Sequence, residues 1–284
     1  MRIAYLITAY GQYDHLRRLL KALDAEDVHF FIHVDARSPM PQNVGDFDNV
    51  TFTPRRRVWW GGWSHTAAIL DLMRAAAGFD YCALISGTDY PVRPDETLRR
   101  IVAGGGEFIN AAEGFRSDKP EKRLKYYHFD GYDRRRRGLR ELFLRGVELL
   151  LRPVAHKRRY PFERVYVGTV WSVLSGGCVR HILDYVDTHP EYVAFFRTAL
   201  APEEAFFQTI IGNSPYRDDI LGNLTWTDWR DGGSGPAEIT VEHLPLFAAT
   251  SANGGPFFAR KFGDHSGGVV EMIDRLYRGG SEAG

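Results

Sequence analysis

Two cysteines in 284 residues rule out a disulfide framework of the kind that staples small secreted domains, and each lies in an apolar setting: Cys82 in "YCALIS" and Cys178 in "SGGCVRH". Both read as buried thiols, which fits a reducing compartment. No run of about 18 apolar residues occurs, so no membrane-spanning helix is expected. Met1 leads directly into "RIAYLITAY", without the apolar h-region and cleavage site of a signal peptide. The expectation is a soluble, unexported, cytoplasmic chain. Net charge is lacking too, since 36 basic residues balance 36 acidic ones. That argues against a protein basic throughout. "KYYHFDGY" interleaves aromatics with charge, but no binding motif accompanies it, and nucleic acid is not expected as a partner. GxGxxG and GxxxxGK[ST] are missing, which weakens dinucleotide and P-loop readings. The ten histidines show no HExxH-type ligand spacing, and His33, near the end of an apolar strand, reads as structural.

What is present in the first hundred residues is an alternation of strand and helix patterns. "RIAYLIT" reads as a buried strand, and "YDHLRRLLKAL" places Leu16, Leu19, Leu20 and Leu23 at i, i+3, i+4 and i+7 of an amphipathic helix. "VHFFIHVD" is a second strand ending on an acid, "NVTFT" a weaker third, "SHTAAILDLMRAA" a helix and "DYCALIS" another buried strand. Strands apolar on both faces and separated by helices predict a Rossmann-like, largely parallel α/β layer. At this length the chain accommodates one such domain, or one with an embedded subdomain.

In open α/β sheets the ligand sits off the carboxyl ends of the strands. That rule gathers the Thr8 to Gly11 loop, Asp35 with Arg37, and Ser86 to Asp89 into one pocket rim. Asp35 is either a strand-end turn residue or an acceptor for a ribose or base edge. "LISGTDYPVRP" carries a single acid, Asp89, where many nucleotide-sugar enzymes carry two that hold a divalent cation. If the chain is such an enzyme, something other than a metal neutralises the leaving group.

From Arg116 to Arg159 the composition shifts: 15 Lys and Arg stand against six Asp and Glu, a net of +9, so the remainder carries −9. "RRRR" (Arg134 to Arg137) precedes "GLRELFLRGVELLLRP", in which Leu139, Leu142, Phe143, Val147, Leu150 and Leu151 share roughly one helical face. Such a helix lies on an anionic membrane surface, grips an acidic substrate, or packs its stripe on the sheet. Trp59, Trp60 and Trp63 read as core or pocket wall. In "APEEAFFQTII", Pro202 suits the first turn of a helix and Glu203 and Glu204 then lie in that turn. They are ordinary partners of the helix dipole, or one is a general base.

"WGGWSHTAAILDLM", "DYCALISGTDYPVRP", "GTVWSVLS", "APEEAFFQT", "LTWTDW" and "FFARKF" occur, from about Ile3 to Tyr277, in the order and spacing of the core-2/I-branching β-1,6-N-acetylglucosaminyltransferases. This is glycosyltransferase family 14, which also holds the peptide O-xylosyltransferases, and the chain resembles a bacterial-type member. The resemblance implies a GT-A-type fold, a Rossmann-like mixed sheet flanked by helices. One such domain is expected over 1–278, with a basic helical insertion at about 116–159 and a flexible tail over 279–284.

It further implies an inverting transferase moving GlcNAc or xylose from a UDP-sugar to a hydroxyl of a glycan, lipid-linked or protein acceptor, with no metal or other cofactor. The base of the family's Pro-acid-Glu motif falls on Glu204, and its nucleotide-site acid on Asp35. Its diphosphate-binding cation falls on Lys261, with Arg260 beside it. Trp229 and Trp226 match the sugar-site wall, Arg123 and Lys125 an acceptor-side basic stretch, and Asp89 is expected to meet sugar or acceptor hydroxyls. Relatives carry a second diphosphate-binding basic residue between the "DW" and "FARKF" motifs. Here that stretch reads "GPAEIT" and Ala237 stands near the position, so either Arg260 or a residue of the basic middle segment substitutes, or donor binding is weaker. A nucleotide- or carbohydrate-binding protein that has kept the fold without turnover is the alternative. The expected setting is cytoplasmic, with peripheral contact on the anionic inner face of the membrane.

Overall fold

A computed structural model of the chain describes residues 1–134, 136, 138–229, 235–249 and 255–279, apart from the side chains of 156, 157, 248 and 249. Arg135, Arg137 and the expected tail from 280 onward lie outside the described residues.

The first half follows the hydrophobic pattern closely. Strand β1 (Ile3–Ala9), helix α1 (Tyr13–Leu23), β2 (Val28–Val34), β3 (Val50–Phe52), α2 (Trp63–Ala75) and β4 (Tyr81–Ser86) alternate as read. Within α1, Leu16, Leu19, Leu20 and Leu23 are all buried, which is the i, i+3, i+4, i+7 stripe turned to the core. Strand β1 shows the two-residue period of a sheet with both faces covered. Ile3, Tyr5 and Ile7 enter the core under α1, and Ala4 and Leu6 enter a second core under α2.

Beyond β4 come β5 (Asp89–Pro91), α3 (Asp95–Ala103), β6 (Glu107–Ile109) and β7 (Ala112–Glu113), then the basic segment with α4 (Lys122–Lys125) and α5 (Leu139–Leu150). The chain returns through β8 (Tyr166–Val167), β9 (Ser172–Ser175), α6 (Gly176–Thr188), α7 (Pro190–Phe196) and α8 (Phe206–Gly212). It closes with β10 (Ile220–Leu221), β11 (Thr225–Thr227), α9 (Leu244–Ala249), β12 (Phe258–Arg260) and α10 (Gly267–Tyr277). Helix α6 starts where it does because the Ser175 hydroxyl accepts the Cys178 N–H, a helix N-cap, while donating to the buried Glu107 carboxylate.

Among the described residues the main sheet has seven strands in the order β10-β6-β9-β4-β1-β2-β3. Strands β3, β2, β1 and β4 run parallel, and β9 is antiparallel to both β4 and β6. The sheet is therefore mixed, flanked by helices on both faces, as the family resemblance implies. A smaller sheet, β11-β12-β5, packs against the first core.

Two readings change. Pro202 to Glu204 form a separate 3-10 turn ahead of α8, not the first turn of the helix. Ala201 in the left-handed region (φ 48°) and Ala205 at φ −141° break the backbone on either side. The apolar stripe of α5 does not pack on the sheet. Leu139, Leu142, Phe143 and Leu150 are exposed, and Glu148 is the buried residue of that helix.

Candidate active site

The register of the parallel strands sets three loops side by side. Ala9 pairs with Val34 and Thr8 with Ser86, and the chain leaves each strand bonded to its neighbour: Asp35 N–H donates to Ala9 O and Gly87 N–H to Thr8 O, both at 2.9 Å. This is the carboxyl edge where open α/β sheets bind ligands. Asp35 stands there, but almost buried and held by Arg37, whose Nη2 lies 2.7 Å from Oδ2 and whose backbone N–H donates to Oδ1 at 2.9 Å. Burial pushes the Asp35 carboxyl up, and the Arg37 hydrogen bonds outweigh it, leaving the group below the usual carboxylate range. Arg37 in turn lies over the Trp59 ring, 4.7 Å from its centroid. A ribose or base edge reaching Asp35 competes with this pair.

The small sheet brings three distant motifs together. In its register Arg260 faces Asp89 and Trp226 faces Ala259. Asp89 is fully buried. Its Oδ1 lies 3.0 Å from Arg260 Nε and accepts the Ser86 hydroxyl at 2.6 Å, and its Oδ2 accepts the Ser86 N–H. Burial raises its pKa against the opposing pull of Arg260 and Ser86. Asp89, expected to meet sugar or acceptor hydroxyls, lies buried beneath Arg260 and is placed to orient it. The Arg260 guanidinium rests over Trp171 at 4.1 Å. Lys261 follows, its carbonyl accepting the Ile239 N–H and its own N–H directed at Ala237 O. A side chain on Gly235 would meet Lys261 Nζ at 3.1 Å. Ala237, at the departure from the family pattern, thus sits directly beside Lys261.

The two tryptophans part company. Trp226, half-buried, packs edge-on against His243 and Phe247, at 5.5 and 5.7 Å, one side against the first core. Trp229 is exposed, with its indole N–H on Thr227 Oγ1. Trp60 is half exposed, and Trp63 packs on Phe206. One buried pair escaped the sequence reading. His243 Nε2 lies 2.9 Å from Asp228 Oδ2, and because Nδ1 accepts the Thr240 N–H, Nε2 carries the proton. The pair pins the turn that bears Trp229. The visible signal was an acid in "TDW" followed by "VEH", too weak to act on.

Glu203 and Glu204 diverge from their turn. Glu203 Oε1 lies 3.4 Å from His65 Nδ1, on the α2 side. Glu204 points the other way, to Arg123, which donates to Oε2, and to Lys119, 3.7 Å from the same oxygen. Burial raises the Glu204 pKa, with Arg123 and Lys119 acting against it. Arg123, expected on the acceptor side, is thus a partner of Glu204. Lys125 pairs with Glu121 at 3.9 Å and lines neither of the cavities described next. With Phe115, Lys119, Arg123 and Leu200, Glu204 lines a small pocket, and Lys119 and Val167 are shared with a cavity of about 500 Å³. That larger cavity is also walled by Asn110, Arg116, Asp118, Thr169 and Leu221.

Residues 168–171 join the two halves of the site. The Gly168 N–H donates to Glu204 O at 2.9 Å, and three residues on, Trp171 carries Arg260. Gly168 is required by close approach, since a Cβ there would lie 1.5 Å from the Asn110 carbonyl oxygen. The base candidate, the cation and the spacer between them come from three of the six motifs.

The sequence model of the Core-2/I-Branching enzyme matches residues 3–246. The chain belongs to the core-2/I-branching enzyme family. It is 31% identical over 247 residues to xylosyltransferase 2 of Rattus norvegicus, covering 81% of this chain and 27% of the relative. The dog (Canis lupus familiaris) xylosyltransferase 2 is 30% identical over 245 residues, with the same shares, and human xylosyltransferase 1 is 27% identical over 296 residues, 92% of this chain and 29% of its own. The chain thus spans under a third of the length of these family relatives. Among solved structures, the crystal structure of S. aureus TarS 1–349 is similar at 13% identity with a TM-score of 0.39, over 78% of this chain and 57% of that one.

Proposed function

We propose that this member of the core-2/I-branching family moves GlcNAc or xylose from a UDP-sugar to a hydroxyl of a glycan, lipid-linked or protein acceptor. The reaction is a single inverting displacement without a metal ion. The observation that carries this reading is Glu204: a carboxylate with a burial-raised pKa, at a pocket adjoining a large cavity, bonded through its main chain to the spacer that reaches Arg260. A raised pKa makes the ionised form a better proton acceptor near neutral pH. Glu204 takes the proton of the acceptor hydroxyl as that oxygen attacks the anomeric carbon. The bond to the UDP oxygen breaks on the opposite side, and the developing diphosphate charge is met by Lys261 and Arg260. Asp89 fixes the guanidinium of Arg260, and Trp171 supports it from below. The setting we propose is cytoplasmic, consistent with two buried free thiols.

Glu204→Gln tests this. Turnover is expected to fall by roughly 10²-fold or more with UDP binding retained. Full activity in that variant, with Glu203→Gln inactive, moves the base to Glu203. Transfer is expected to persist in excess EDTA, and loss on chelation with recovery on adding a divalent ion refutes the metal-free mechanism. A screen of UDP-GlcNAc against UDP-xylose identifies the sugar. A second reading, a non-catalytic binding protein, is favoured by one observation: Asp35, Asp89 and Glu204 each already hold an arginine. Tight UDP binding with no turnover on any donor would select it.

A further inference from the structure

Helix α5 is turned inside out. At 100° per residue, Leu149, Leu142, Leu139, Leu150 and Phe143 follow one another across an arc of about 120°, and they are 57%, 53%, 88%, 79% and 70% exposed. The opposite side carries Glu148, buried and bonded to the body of the protein. Arg134 donates to both its oxygens at 2.6 and 2.9 Å, the Phe129 N–H at 2.8 Å and the Tyr132 hydroxyl at 2.9 Å. A surface helix of a globular protein normally buries its apolar side and wets its polar one. Here the polar side is the anchor and the apolar side faces out. The exposed Val154 extends the stripe past the helix end.

The charge around this stripe says what covers it. Arg140 and Arg152 flank it and are exposed, Arg152 with its guanidinium 5.2 Å over the Tyr126 ring, while of the three acids from Asp133 to Val154 Glu148 is turned inward, Asp133 lies close to Arg136 and Glu141 is half-buried beside Arg140. From Asp133 to Val154 seven arginines stand against three acids, a net of +4 around the stripe, so a second copy docking here would set like charge against like. An anionic bilayer instead offers acyl chains to the leucines and phenylalanine and phosphates to the guanidinium groups. No helix among the described residues is long and apolar enough to cross a membrane, so the contact is one of lying on the surface. We infer that the outward face of α5 docks the protein on an anionic lipid surface, Leu139, Leu142, Phe143 and Leu150 entering the headgroup boundary and Arg140 and Arg152 meeting lipid phosphates. This holds whether or not the chain transfers sugar. Arg134 is not part of the contact, because it is spent on Glu148.

Co-sedimentation of the full chain with vesicles tests it, comparing phosphatidylcholine alone with phosphatidylcholine containing about 30 mol % phosphatidylglycerol. Binding is expected on the anionic vesicles, weakening as salt rises toward about 0.5 M. Phe143→Asp with Leu150→Asp should lower the partition roughly tenfold or more. Arg140→Gln with Arg152→Gln should remove the preference for anionic lipid while leaving the apolar component. All four positions are exposed, and circular dichroism melting checks that both variants are folded; if the aspartate pair is not, the arginine pair decides alone. The proposal is overturned by absence of binding to anionic vesicles, or by binding that the aspartate pair leaves unchanged in a folded protein. A dimer seen by light scattering that Phe143→Asp disperses, without vesicle binding, also overturns it in favour of a second copy.

Discussion

Replacing Gly168 by alanine asks whether the spacer between Glu204 and Arg260 is as tightly seated as its geometry says. The added Cβ would lie 1.5 Å from the Asn110 carbonyl oxygen and 2.5 Å from its carbonyl carbon. Both are main-chain atoms that no rotamer change can move aside. Real Cβ atoms do not approach closer than about 3 Å, so the two segments must separate by roughly 1.5 Å. Overpacking on this scale costs about 3 kcal/mol, the upper end for such changes. At about 2 °C per kcal/mol for a chain of this size, the melting temperature is expected to fall by roughly 6 °C. Because Gly168 is bonded to Glu204 O, any displacement is passed to Glu204, and with Glu204 as the proposed base a misplacement of about 1 Å is expected to lower turnover by roughly 10²-fold. Gly222, on the wall of the same cavity, is the control: its nearest neighbour to a new Cβ is Asn110 Oδ1 at 4.0 Å. Thermal melts of Gly168→Ala and Gly222→Ala, with transfer rates where activity is established, give the comparison. A Gly168→Ala protein that melts and turns over like Gly222→Ala refutes the argument.

The pH profile gives another handle. A base works ionised, and burial raises the Glu204 pKa, so the acid limb of kcat/KM should lie above the ordinary glutamate range; Arg123→Gln, by removing a cation that favours the ionised form, should move that limb to higher pH, and a move to lower pH would contradict the assignment. Lys261→Ala is expected to weaken UDP binding and to slow transfer together, by roughly 10²-fold in turnover, and calorimetry that finds UDP affinity unchanged removes Lys261 from the diphosphate site. Glu148→Ala leaves the largely buried Arg134 without its carboxylate, a loss of roughly 3–5 kcal/mol, and hydrogen exchange should report faster opening of α5; protection equal to wild type would show that the pair is not what holds the helix.

Legibility from sequence tracked the range of the interactions concerned. Helix α1 and strands β1, β2 and β4 were readable because periodicity alone decides them once both faces of the sheet are covered. The strand β9 and the helix after it are equally legible in "GTVWSVLSGGCVRHILDYV", but the antiparallel direction of β9 was not, since its partners β4 and β6 are selected by topology. The acids of the site were found, but their company was not. Arg37 is two residues from Asp35 and was noticed as a rim neighbour, yet nothing in "HVDAR" says that both carboxylate oxygens are taken. Asp89 and Arg260 meet only through the β5–β12 register, so the buried ion pair was invisible and Asp89 was assigned to substrate. Glu204 was recognised through its motif, and its mounting on a 3-10 turn was hidden because the left-handed Ala201 has no signature of its own. Helix α5 shows the converse case: its amphipathic period was plain, and which side faces outward depended on a buried carboxylate that pattern alone treats as solvent-exposed.

The four residues from Gly168 to Trp171 act as a ruler. One end is bonded to the turn that bears Glu204 and the other underlies Arg260, so the backbone span between these two attachment points is limited to about 10 Å by three peptide units. A displacement of this segment would therefore be felt by Glu204 and Arg260 together. The spacing of the two attachment points is set by covalent bond lengths, and the adjustable joints are the hydrogen bond at one end and the ring contact at the other.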